Sequence, residues 1–173
     1  MRKVLAVLFV LAAALTVAPA STATSTPSGD GDRVDQARRG SEVQLLRQRV
    51  VTLTNNKRRA RGCPVLRRND ALDRAAQTHT VKMAGRGRNG TLSHQLPGEP
   101  GVGTRLRRAG YDWSGWGENV AAGQTTARAV MRSWMNSRGH RRNILNCRFR
   151  HIGVGLAYAR TGTPYWTQDF GYR

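Results

Sequence analysis

Three residues in this 173-residue chain have the types and settings that chemistry needs: His94, Glu118 and His140. His94 closes Leu92-Ser93-His94 inside a stretch rich in glycine and proline, and His140 follows Gly139 in SWMNSRGHRRNILNC. Glu118 lies between Gly117 and Asn119. Imidazoles in loops beside small residues can face a cleft. Two imidazoles and a carboxylate could ligate zinc or a similar divalent cation and leave a position open for water. The carboxylate could equally orient one imidazole from behind. Spacing adds little, because there is no H-E-x-x-H and the three residues are far apart in the chain. Other readings stay open. His79 falls on the apolar face of a helix and reads as a core or rim residue; His151 begins a strand and reads as an edge residue. Glu118 could simply pair with an arginine, since the chain has 10 acidic residues against 29 basic ones. A Ser–His hydrolase could be built from Ser93, Ser133 or Ser137, although no G-x-S-x-G elbow is present.

The elements that must position these residues are legible from periodicity. Leu46, Val50 and Leu53 mark a helix over residues 43–59, stopped by Gly62-Cys63-Pro64. Asn69 is placed to cap a second helix, residues 70–84, with Leu72, Ala75, Ala76, His79 and Met83 inward. Residues 85–103 read as a long loop, of the kind that is usually functional or mobile. A short helix over 104–109 follows, closed by Gly110, with Trp113 and Trp116 beyond it as packing anchors. Residues 117–121 enter a strand. Thr125 is expected to cap a helix to about Ser137, with Ala127, Val130, Met131, Trp134 and Met135 on one face. Gly139 fits a helix C-terminal cap with positive φ, so that His140 projects from a turn. Ile152, Val154, Leu156 and Tyr158 alternate along a strand over 151–159, and Thr161-Gly162-Thr163 turns it into a second run, 165–170. The class is α+β: a small antiparallel sheet covered by helices.

The ends and the composition set the compartment. Arg2 and Lys3 precede an apolar run from Val4 to Val17, and Ala18-Pro19-Ala20 is an A-x-A cleavage site. Residues 1–20 therefore read as a secretory signal peptide. Residues 21–42, rich in Ser, Thr, Gly and charge, read as a flexible linker, and the folded domain as residues 43–173. Two cysteines in an exported chain point to one disulfide, Cys63–Cys147, against the alternative of two free thiols. Neither is then a nucleophile. The formal charge is +19, and +17 with Arg2 and Lys3 set aside. That suits an anionic partner such as cell-wall polymer or acidic lipid, or else a merely solvated basic surface. No nucleic-acid motif is present, and the basic residues are spread along the chain.

Together, AAQTH, LSH, AGY, GENVAAG, SWMNSRGHRRNIL, IGVGLAYA and YWTQDFG resemble a bacterial member of the CAP superfamily. This is the family of cysteine-rich secretory proteins, antigen 5 and pathogenesis-related proteins, also called the SCP domain. The resemblance covers about residues 43–171. It implies a three-layer α-β-α sandwich with a central cleft of two histidines and two acidic residues. His94, Glu118 and His140 match three of the four. In eukaryotic members the second acidic residue lies three positions after the helix tryptophan; counted from Trp134, that position is Ser137. The resemblance thus implies a cleft of His94, Glu118, His140 and Ser137. His94 and His140 could hold a zinc or other divalent ion, with Glu118 acting through water. The expected function is a secreted binding module at the cell envelope or in the extracellular space. The alternative is a metal-dependent or His/Glu hydrolase acting on peptide or cell-wall substrates, with Glu118 as the candidate catalytic group.

Overall fold

The computed structural model describes residues 30–173. The expected signal peptide and residues 21–29 of the expected linker lie outside the described residues. The order is α1 (Asp30–Arg59), β1 (Arg67–Arg68), α2 (Asp70–Gly85), α3 (Val102–Arg108), β2 (Gly115–Ala122), α4 (Ala127–Asn136), α5 (Arg138–Ile144), β3 (His151–Tyr158) and β4 (Pro164–Tyr172).

α1 begins earlier than its apolar spacing predicts. Residues 31–42 are helical but exposed, and inward positions start at Val43 and Leu46, then Arg47, Val50, Val51 and Thr54. An apolar period appears only where a helix has something to pack against. Of the linker expected at 21–42, residues 30–42 are helical and extend α1. α2 starts as expected: the Asn69 side chain accepts from the Ala71 and Leu72 amides, satisfying two of the helix's unpaired donors.

The sheet order is β1-β3-β4-β2, with β3–β4 and β2–β4 antiparallel and the two-residue β1 parallel to β3. The C-terminal hairpin is present; β1, only Arg67-Arg68, carries no strand signal. α2 lies on one face with α3 beyond it, and α1, α4 and α5 cover the other, giving three layers. β3 explains the close approach of α2. Ile152, Val154 and Leu156 join the α1/α4 core, while Gly153 and Gly155 face α2. A Cβ on Gly153 would lie 2.1 Å from the Leu72 carbonyl carbon, so the helix backbone rests directly on the strand.

The segment carrying His140 departs from expectation. α4 is capped by Thr126, one residue later than predicted, and ends at Asn136. The break is at Ser137, whose backbone is extended (φ −89°, ψ 124°), and a new short helix begins at once. Gly139 has no positive φ and lies inside α5, so it is not a helix terminator. His140 thus projects from α5 and not from a turn. Tertiary anchors hold this arrangement. Fully buried Arg58 of α1 donates to the carbonyls of Pro64 (2.9 Å), Ile144 (2.9 Å), Asn146 (2.8 Å) and Phe149 (3.0 Å). Burial, and then Arg150, lower its pKa to about 10, which still leaves it charged at neutral pH. The Cys63–Cys147 disulfide closes the same two segments.

Candidate functional site

Glu118 sits in β2 directly opposite Asp169 of β4, so both side chains leave the same face of the sheet. That face lies under α3, which supplies Arg105. Its Nη2 donates to Glu118 Oε2 in a charge-assisted bond, and its Nη1 donates to the His94 carbonyl at 2.7 Å. His94 Nδ1 donates to Glu118 Oε1 at 2.8 Å. The carboxylate side chain is 1% exposed and the imidazole 55%. Both Glu118 oxygens are therefore engaged from behind. His94 keeps Nδ1–H inward, which leaves Nε2 for whatever approaches from solvent.

His140 reaches the same region from α5. An amide ladder fixes that helix to the sheet. Asn143 donates to the Glu118 carbonyl (3.0 Å) and to Asn119 Oδ1 (2.9 Å). Asn119 donates to the His140 carbonyl (3.2 Å) and to Gln168 (3.0 Å), and Gln168 donates to Thr54 of α1 (2.7 Å). Burial pushes the His140 pKa down, and the nearby His94 pushes it further. A neutral ring at pH 7 is the form that accepts a proton or a cation.

Asp169 is the residue that sequence reading missed most completely. It is 1% exposed, and among the described residues no donor reaches either oxygen. Burial raises its pKa well above the carboxylate range, and Glu118 alongside raises it further, against the pull of Arg105. Two carboxyl groups side by side in a sealed position disfavour a second negative charge, which holds Asp169 toward its protonated form. Its one signal in sequence was an acidic residue inside an otherwise aromatic strand.

The loop that carries His94 is packed. A second His–Glu pair lies beneath it: His79 Nδ1 meets Glu99 Oε2 at 2.8 Å and His79 Nε2 meets the Ser93 carbonyl at 2.9 Å, with both side chains sealed from solvent. Burial pushes the Glu99 pKa up, but His79 and Arg105 outweigh it and the net is lowered. His79 is thus a core residue that braces the site. Tyr165 donates to the Asn89 carbonyl, and the Thr91 amide to Met83, which ties down the loop's first half.

The remaining candidates make no hydrogen bond to these three residues' side chains. His151 faces the Tyr111 hydroxyl (2.8 Å). Ser93 donates to the Gln95 carbonyl within its own turn. Ser137 stands half-buried at the α4–α5 break and makes no capping bond. Among the described residues no group of three or more His, Cys, Asp or Glu is arranged to hold a metal ion. Two imidazoles fall short of the three protein ligands of catalytic zinc sites, and Glu118 is turned inward to His94 and Arg105. The donor set does not fit a tightly held resident zinc.

This arrangement, on a three-layer sandwich closed by one disulfide, is that of a CAP domain. The chain belongs to the cysteine-rich secretory protein family, whose model matches residues 51–170. It is 37% identical over 130 residues to the uncharacterized protein YkwD of Bacillus subtilis, covering 75% of this chain and 48% of that one. It is 29% identical over 123 residues to the uncharacterized membrane protein YlbC of the same organism, covering 71% and 33%. The chain thus spans half or less of the curated relatives it matches. Among solved structures, an extracellular SCP-domain protein of Bacillus anthracis superposes with a TM-score of 0.69 at 30% identity, covering 86% of this chain and 45% of that one. It is a CAP-domain protein of bacterial type. No helix among the described residues is long and apolar enough to cross a membrane.

Proposed function

We propose that this is an extracellular CAP-domain binding module that engages an envelope component through the face bearing His94 and His140. One observation carries the reading: Glu118 accepts from both His94 and Arg105, so it holds the imidazole in place from behind and does not itself face a ligand. What remains outward is His94 Nε2 and a neutral His140, two groups suited to hydrogen-bonding a ligand. A divalent ion such as zinc would be held by these two imidazoles only weakly. The leader expected at residues 1–20, the basic charge and the extracellular B. anthracis neighbour support an envelope setting. The test is cosedimentation of the oxidised domain with purified bacterial cell walls at low and high salt. Retention that survives salt and falls in His94→Ala/His140→Ala is expected. Retention abolished by salt alone and indifferent to that double substitution would leave only adhesion of a basic surface.

A further inference from the structure

β2 is sealed from Gly117 to Ala121, yet Trp116 at its head is 40% exposed. Its partner across the strand pair is Gly171, which has no side chain to cover it. Trp116 and Glu118 are two residues apart on the same face, so the indole leaves the sheet about 7 Å from the carboxylate that holds His94. His94 in turn lines a depression of about 380 Å³ with Gln95, Gly103, Arg107, Trp113 and Trp116.

The aromatic wall is fixed before any ligand arrives. Trp113 donates its Nε1–H to the Gly103 carbonyl at 2.9 Å, and the Arg107 guanidinium lies over its ring, 4.2 Å from the centroid. The two indoles meet edge to face, with centroids 6.2 Å apart and planes at 75°. Gly103 is needed for this: a Cβ there would stand 2.7 Å from Trp113 Cζ2 and 2.9 Å from Trp116 Nε1. A preorganised wall loses little entropy on binding.

The lining selects the ligand. A flat indole suits the C–H face of a ring, while the amide of Gln95, the imidazole of His94 and the guanidinium of Arg107 suit hydroxyl and carboxylate groups on its edge. No acidic side chain among the described residues lines the depression, which disfavours a cationic ligand held in an aromatic cage. A lipid chain would need an enclosed apolar cavity, and this one is shallow with a polar rim. We propose that the depression is a subsite for one sugar residue of an anionic glycan, with the ring on Trp116 and its acidic group at Arg107. This rests on the reading of the neighbouring His94 face as ligand-binding.

The test is calorimetric titration with two soluble probes that share an amino sugar, neutral chitotetraose and a uronate-bearing hyaluronan tetrasaccharide. Saturable binding is expected, at least tenfold tighter for the uronate probe. Trp116→Ala should weaken it at least tenfold and Trp116→Phe much less. Arg107→Gln, an exposed change that spares the fold, should remove the preference for the charged probe. No saturable binding at millimolar probe, or equal affinity in wild type and Trp116→Ala, overturns the subsite. Cell-wall retention separates the two ideas. A subsite failure leaves the His94→Ala/His140→Ala defect intact, whereas failure of the underlying reading leaves retention unchanged in that variant.

Discussion

Replacing Arg105 by methionine keeps much of the side chain's packing but removes the cation that bonds Glu118. The side chain is 7% exposed, and it also donates to the His94 carbonyl and lies 3.7 Å from Glu99. Taking one partner from a buried ion pair costs about 3–5 kcal/mol, because the other charge stays buried without compensation. Here the penalty falls on a carboxylate already beside Asp169. Glu118→Gln should cost less, about 1–3 kcal/mol, since Arg105 keeps two carbonyl acceptors. With both charges gone, the stranded-carboxylate penalty disappears. The double variant should then be more stable than the sum of the singles implies, by about 1–3 kcal/mol. Urea unfolding of the disulfide-intact protein at pH 7 measures all three. Additivity within about 0.5 kcal/mol, or a loss below about 1 kcal/mol for Arg105→Met, would refute the view that Arg105 neutralises Glu118.

Three further outcomes follow from particular residues. The fold raises the Asp169 pKa, so above the unfolded Asp value of about 3.9 the native state binds more of the proton than the unfolded chain does. Its contribution is full below that pH and declines as pH rises toward the folded value, by about 1.4 kcal/mol per pH unit. Asp169→Asn should therefore gain on the wild type between pH 5 and pH 8 in urea unfolding, whereas parallel curves would contradict a protonated Asp169. Cys63→Ala/Cys147→Ala opens a loop with a sequence separation of 84, for which chain entropy gives about 4–5 kcal/mol; thermal unfolding should show the loss. Zinc titration by calorimetry should show one weak site, roughly micromolar or weaker, lost in His94→Ala/His140→Ala. Nanomolar binding would require a third protein ligand.

Most of the frame was legible because it rests on local signals: the Asn69 cap, the apolar face of α4, and the alternation of β3 leading into the hairpin. The cleft residues were legible as chemical types in glycine-flanked settings and as matches to family motifs. What was not legible depends on contacts between distant segments. Gly139 looks like a helix terminator, yet α5 continues through it because Arg58 of α1 holds its Ile144 carbonyl and its own Asn143 donates to β2. His79 reads as an ordinary core histidine, and only the fold sets it under Ser93 and Glu99 as a brace for His94. Arg105 is one of many arginines in the sequence, and nothing in its spacing marks it as the partner of Glu118. Asp169 becomes visible only when the β2–β4 register sets it beside that glutamate.

The proposed binding role predicts that this face binds without cutting, with Glu118 holding His94 in place. The most direct measurement is the release of soluble fragments from purified cell walls over time, by wild type and by Glu118→Gln, with zinc present and absent. No release above background is expected in any arm, while the wild-type protein stays bound to the wall. Steady release by wild type that disappears in Glu118→Gln would contradict it and establish a hydrolase with Glu118 at its centre.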